Sequence, residues 1–256
     1  MNGAAADFVA TSIFILLGTS VSCGARLGRT SSGGMSLAAV AAGWGAALAC
    51  GLFASGRAGA HLNPAVTLGL WWCDRVTGAD AAWHVAAQCA GTALGMVLAI
   101  LAFVPQWARS GADELADALW VRPAVRAPLS NVLASAIATA AFVFVMLRIL
   151  AGEPLGVGVD TGADAGLPPA TQAPFILGHA GESSLIAGIA LFACVAGAGA
   201  VGAALHPPRA VFGRVLLAVL PVEGKASVSW SGLLEAIVGP ALGAFIAAWT
   251  WRAIVL

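Results

Sequence analysis

The chain has 256 residues, of which 60% are hydrophobic and 9% charged, with a mean hydropathy of +0.91. A soluble domain carries about 25% charged residues, so most of this surface is suited to lipid rather than water. The formal net charge is zero, which argues against a nucleic-acid partner and leaves no field to steer a charged ligand.

The first apolar run opens at Asp7 and continues past Val21 with no positively charged segment before it. It reads as a first membrane helix rather than a cleaved leader. Crossing a hydrocarbon core of about 30 Å takes about 20 residues, and six stretches meet that length: 7–25, 36–55, 81–104, 130–150, 183–201 and 231–251. Two shorter apolar pieces, 63–72 and 207–220, are too short to cross. Turn-forming residues fill 28–34, 105–128, 152–174 and 221–229, and Ser130, Ser183 and Ser231 are expected to cap the helices that follow them. Cys23, Cys50, Cys73, Cys89 and Cys194 stand singly without metal-ligand spacing. They read as packing residues in a reduced setting, with no metal and no cofactor implied. No nucleophile–base pair or carboxylate dyad sits at catalytic spacing, so an enzyme is not expected.

Each short piece follows a related motif. Gly59-Ala60-His61-Leu62-Asn63-Pro64-Ala65-Val66 is echoed by Gly202-Ala203-Ala204-Leu205-His206-Pro207-Pro208-Arg209. Asp7-Phe8-Val9-Ala10-Thr11 aligns with Ser135-Ala136-Ile137-Ala138-Thr139, and Gly91-Thr92-Ala93-Leu94-Gly95 with Gly239-Pro240-Ala241-Leu242-Gly243. The chain therefore divides into a first repeat over 1–126 and a second over 127–256, with a Gly/Pro-rich loop insertion at 152–174 in the second. Three spans per half is an odd number, so the second half is expected to run inverted. The expected fold is all-α: six transmembrane helices plus two re-entrant half-helices.

Inversion brings the two half-helices in from opposite faces with their N-termini meeting near the midplane. Irregular backbone at that depth is tolerable only where it lines a cavity. The carbonyls of Gly59, Ala60 and His61, and of Gly202, Ala203 and Ala204, are then expected to form a ladder of acceptors. Pro64 and Pro207 suit the first helical position, where a missing N–H is no loss. Each half-helix N-terminus carries about half a positive charge, so the facing pair repels cations while a neutral solute passes.

With these motifs the chain resembles the aquaporin family, the major intrinsic proteins. Gly59 to Thr67 is similar to their first Asn-Pro-Ala box, and Ala87-Gln88 and Val238 to Gly243 are similar to further family signatures. The second box keeps Gly202, Pro207 and Arg209 but has His206 in place of asparagine and Pro208 in place of alanine. The resemblance implies that Asn63 caps the first half-helix and offers its amide N–H to the permeating molecule. His206 takes the partner position as a neutral donor, as a pH-dependent gate, or with its ring turned away. His61 is expected at the inner vestibule, and His84 and His179 as interface or loop residues.

By spacing from the boxes, the resemblance implies a selectivity filter of Gly43, Cys194, Ala203 and Arg209, with Trp44 as the alternative to Gly43. Three small residues would make a wide ring, suited to metalloid hydroxides such as arsenious acid, glycerol-like polyols or urea. Trp44 would make it glycerol-like. Asp7 stands where the family places a buried carboxylate, a costly group that must be paired. Ser135 is its uncharged counterpart, and both are read as scaffold. The family also implies a homotetramer in a bacterial inner membrane, with both termini cytoplasmic. Charge leans against that orientation, because Arg26, Arg29, Arg109, Arg122 and Arg126 then lie outside. The function implied is a passive channel for small uncharged solutes; a water-selective channel and a non-conducting relative are the alternatives.

Overall fold

A computed structural model describes residues 3–56, 59–123, 125–150, 173–222 and 228–255, with backbone alone for 173–180 and 255. Among these all the regular secondary structure is helical. The long helices are α1 (Gly3–Arg26), α2 (Leu37–Ser55), α4 (Gly78–Ala102), α7 (Pro128–Leu150), α8 (Ala173–Ala198) and α10 (Leu233–Val255). All six have the length and apolarity to cross a membrane, and together they make this an all-α, multi-pass membrane protein. Two shorter helices, α3 (Pro64–Trp72) and α9 (Pro207–Val219), occupy the segments too short to span. The insertion expected at 152–174 lies outside the described residues, except that 173 and 174 already belong to the start of α8.

Helix starts follow the local chemistry, though not always at the expected serines. Ser36 caps α2, its Oγ accepting from the Ala39 N–H at 3.2 Å, and Thr77 caps α4, accepting from the Asp80 N–H at 3.1 Å. Ser130 and Ser183 lie inside α7 and α8 rather than at their caps. α7 begins two residues earlier at Pro128, where a proline costs no hydrogen bond.

Glycines set how closely the long helices approach. A β-carbon on Gly91 or Gly95 of α4 would lie 2.6 Å from the carbonyl oxygen of Phe8 or Ser12 in α1. The matching pair on α10 meets α7 in the same way: a β-carbon on Gly239 would fall 2.5 Å from the Ser135 side chain, and one on Gly243 2.5 Å from the Ala136 carbonyl oxygen. Four-residue glycine spacing lets helix backbones touch where no water is present to drive association. α2 and α8 use Gly45 and Gly188 against each other.

The segment 105–128, expected as turns, contains two further helices, α5 (Val104–Trp107) and α6 (Ala112–Leu119). α6 is capped by Glu114, whose carboxylate accepts from the Gly111 N–H at 3.0 Å. It buries Leu115, Ala118 and Leu119 against the body, packing on α1 and α9. Beyond it Arg122 folds back onto Asp117 at 2.6 Å and Asp113 at 2.8 Å. The hydrogen bond to Asp117, with help from Asp113, raises the pKa of that guanidinium above its ordinary value.

Candidate functional site

The two short helices meet at their N-termini and cap each other's approach. Asn63 Oδ1 accepts from the Ala65 N–H at 2.9 Å, and its Nδ2 donates to the Leu205 carbonyl at 2.9 Å. His206 repeats the arrangement with an imidazole. Its Nδ1 accepts from the Arg209 N–H at 3.3 Å, and its Nε2 lies 3.0 Å from the Leu62 carbonyl oxygen. A backbone N–H can only donate, so Nδ1 carries the lone pair and the ring proton sits on Nε2, donating to Leu62.

The two departures of the second box account for each other. Pro208 occupies the second helical position and has no N–H to be capped, so His206 reaches one residue further, to Arg209. Pro207 before it, like Pro64 in α3, fills the first position at no cost. This corrects one expectation. Both ring nitrogens of His206 are engaged within the protein, so the ring has no N–H left for a permeating molecule. Asn63 has one, since its amide carries two protons and Leu205 takes only one.

Protonating His206 would require breaking the Arg209 cap beside a guanidinium. Solute flux is therefore expected to be equal within error at pH 5.5 and 7.5, measured by stopped-flow on proteoliposomes. A change of several-fold across that interval would assign the ring a gating role.

Behind each loop a polar side chain collects backbone N–H groups. Asp7, fully buried, accepts at Oδ1 from the N–H of His61 at 2.9 Å and of Leu62 at 2.7 Å. Its Oδ2 accepts from Gln88 Nε2 at 3.0 Å and from His84 Nδ1 at 2.5 Å. Gln88 Nε2 also donates to Thr67 Oγ1 at 2.9 Å. In the other loop Ser135 Oγ accepts from the Ala204 N–H at 3.0 Å, while Gly202 and Ala203 donate to Gly199 and Ala198.

Gly59 and Gly202 enter the loops at φ +62° and +79°. Leu62 adopts φ +57°, a left-handed conformation that costs a bulky residue about 1–3 kcal/mol. Asp7 holds its N–H and His206 its carbonyl, so the fold fixes both ends of the strained unit. Ala60, His61 and Ala65 are buried beside it. His84, expected at an interface or in a loop, instead lies in the interior against Asp7 and stacks on His61 with ring centroids 4.1 Å apart. The side chain of His179 lies outside the described residues.

The cavity beside Arg209 is lined differently from the expected filter quartet at two positions. A cavity of about 230 Å³ is lined by Trp44, Leu191, Ala203 and Arg209, among others. The Arg209 guanidinium lies 4.4 Å from the Trp44 ring centroid and donates through Nη2 to the Ala118 carbonyl at 3.1 Å. Trp44 is held in turn by its Nε1–H, which donates to Ser22 Oγ at 3.0 Å, and by an edge-on contact with Phe14 at 5.5 Å.

Gly43 faces α1, where a β-carbon would lie 2.7 Å from the Val21 side chain. Cys194 turns its thiol to the Ala138 carbonyl of α7 at 3.6 Å, and Leu191 borders the cavity from α8 instead. One residue is about 100° around a helix, so a single step in α2 exchanges glycine for tryptophan at the wall.

Reciprocally capped half-helices within six long apolar helices define a membrane protein of the channel class. The model of the family described as "Major intrinsic protein" matches residues 1–151. Two relatives align over nearly their whole length. The glycerol uptake facilitator protein of Streptococcus pneumoniae (strain ATCC BAA-255 / R6) is 32% identical, covering 96% of this chain and 97% of that protein. The probable glycerol uptake facilitator protein of Thermotoga maritima is 29% identical, covering 95% of each. The X-ray structure of the aquaglyceroporin from Plasmodium falciparum has the same fold, with a TM-score of 0.74 at 18% identity over 99% of this chain and 96% of that one. The chain belongs to the major intrinsic protein family, whose members are passive channels and not enzymes.

Proposed function

We propose that this protein is a passive conduit for small uncharged polyols of the glycerol class in a bacterial inner membrane. The supporting observation is the pairing of Arg209 with Trp44 at a cavity that Leu191 and Ala203 also border. A polyol has a C–H face and a hydroxyl face. Indole and Leu191 suit the first, and guanidinium N–H groups and the free Asn63 amide proton suit the second. The carbonyls of Gly59, Ala60 and His61 on one side, and of Gly202, Ala203 and Ala204 on the other, provide acceptors between filter and mouth. Two helix N-termini and a fixed guanidinium oppose cations. The names of the relatives point to the same solute class.

The reading extends to architecture. Residues 1–126 and 127–256 are taken as inverted halves, with Asp7 and Ser135 as matching loop anchors, and four copies as the assembled unit. The wide filter expected from Gly43, Cys194 and Ala203, suited to arsenious acid or urea, loses its main support because Trp44 rather than Gly43 lines the cavity.

The test is stopped-flow light scattering on proteoliposomes with glycerol, urea, arsenious acid and an osmotic water step as parallel challenges. Glycerol entry well above that of empty liposomes is the expected result. Water flux alone would assign a water channel, and no flux from well-folded protein would assign a non-conducting relative.

A further inference from the structure

One side-chain cluster behind the first loop offers ligand chemistry that permeation itself does not call on. Asp7, His61 and His84 each present a ligand atom within 4.8 Å of the other two. They come from α1, the loop before α3, and α4, which the fold brings together. Asp7 is fully enclosed, whereas the His61 and His84 side chains retain 10% and 12% exposure. His84 is six residues into α4, about 9 Å from its start at 1.5 Å per residue. The path from the aqueous face at that end is short.

We propose that Asp7, His61 and His84 form a site for a borderline-soft divalent transition-metal ion, for which Zn2+ is the probe, and that its occupancy slows permeation. Two imidazoles and one carboxylate, with a fourth position open to water, are a donor set that zinc and neighbouring first-row ions accept. The surrounding bonds already orient these ligands, as outer-shell partners do in metal sites. The backbone N–H groups of His61 and Leu62 hold Oδ1 of Asp7, and Gln88 Nε2 holds Oδ2 at 3.0 Å.

The proton balance is simple. His84 Nδ1–H donates to Asp7 Oδ2 at 2.5 Å; when an ion takes the Nδ1 lone pair, the ring proton moves to Nε2 and the imidazole stays neutral. His61 Nδ1 lies 3.1 Å from Thr67 Oγ1, and that hydroxyl has a second acceptor in the Asn63 carbonyl at 3.3 Å. The ring nitrogen can therefore be released to the ion without orphaning the hydroxyl. The ion would draw on the carboxylate that holds the first loop, so its charge reaches the conduit wall within one residue.

The test uses the full chain in detergent with Cys50 changed to serine, because that thiol is exposed. Co2+ is titrated by its visible absorption and then displaced by Zn2+. The expected spectrum has the d–d bands of nitrogen and oxygen ligands without a thiolate charge-transfer band. His84→Gln keeps a hydrogen-bonding partner for Asp7 and is expected to weaken Zn2+ binding by about 100-fold, since even outer-shell partners cost roughly 10–100-fold. His84→Phe, which retains the stack on His61, should do the same.

The effect on permeation rests on the conduit reading, but the titration does not, so the two can fail separately. In proteoliposomes, Zn2+ should lower glycerol entry reversibly on chelation in the parent and not in His84→Gln. Equal affinity in parent and variants, a thiolate band, or glycerol entry unmoved by saturating Zn2+ would each overturn the proposal.

Discussion

Asp7→Leu is expected to prevent the protein from reaching its folded state. The carboxylate is wholly buried and accepts from four donors: two backbone N–H groups of the first loop, Gln88 and His84. Leucine fills similar space but accepts nothing. Each buried donor left without a partner costs about 1–3 kcal/mol, so the loss for four donors is about 4–12 kcal/mol, comparable with a domain's total of roughly 5–15 kcal/mol. The strained Leu62 backbone would also lose the bond that holds its N–H.

Asp7→Asn separates charge from hydrogen bonding. Its Oδ1 still takes both backbone N–H groups, and Gln88 and His84 can turn to present acceptors to its amide. It should fold with a loss of about 1–3 kcal/mol. Size-exclusion profiles and thermal unfolding in detergent measure both variants. A leucine variant as monodisperse and as heat-stable as the parent would show that Asp7 does not anchor the loop.

Trp44→Ala should leave glycerol entry intact but relax discrimination against larger polyols. The indole forms one wall of the cavity and lies against the Arg209 guanidinium. Without it the constriction widens on its apolar side, while Arg209 keeps its bond to Ala118. A difference of one methylene in an apolar pocket is worth roughly 10–200-fold in selection, so the glycerol-to-pentitol flux ratio should fall by about tenfold. Parallel entry rates of glycerol and xylitol in proteoliposomes measure it. An unchanged ratio would place the size-limiting constriction elsewhere. Gly43→Ala tests the same geometry in the opposite sense, since it should disturb packing against Val21 and leave the ratio alone.

The fold was legible because its main signals are local. Apolar length alone located the spans, and Pro64 and Pro207 marked the first turns of the short helices from their own stereochemistry. What escaped was set by relative placement. The step from Gly43 to Trp44 is one position in a count carried back from Asn63 around a glycine-rich corner. A sequence holds no record of where such a corner leaves the helical phase. Cys194 and Leu191 differ for the same reason, because a short 3₁₀ turn at Gly199–Val201 lies between α8 and the second box.

α6 escaped because eight residues with three acids resemble a solvated turn until the body that buries Leu115 and Leu119 is present. His84 carried a usable signal. It lies one turn before Gln88, and two polar residues at that spacing on an apolar helix share a face. Here they share the carboxylate of Asp7.

The crossed caps between the half-helices also impose an order in time. Asn63 and Leu62 find their partners at Leu205 and His206, 142 and 144 positions further along the chain. A ribosome extends from the N-terminus, so the first loop must wait through most of synthesis before its centre is closed. Asp7 and Gln88 are available much earlier and can hold the loop meanwhile. In biogenesis, the carboxylate behaves as a temporary clamp, and the histidine of the second box as the latch that ends the wait.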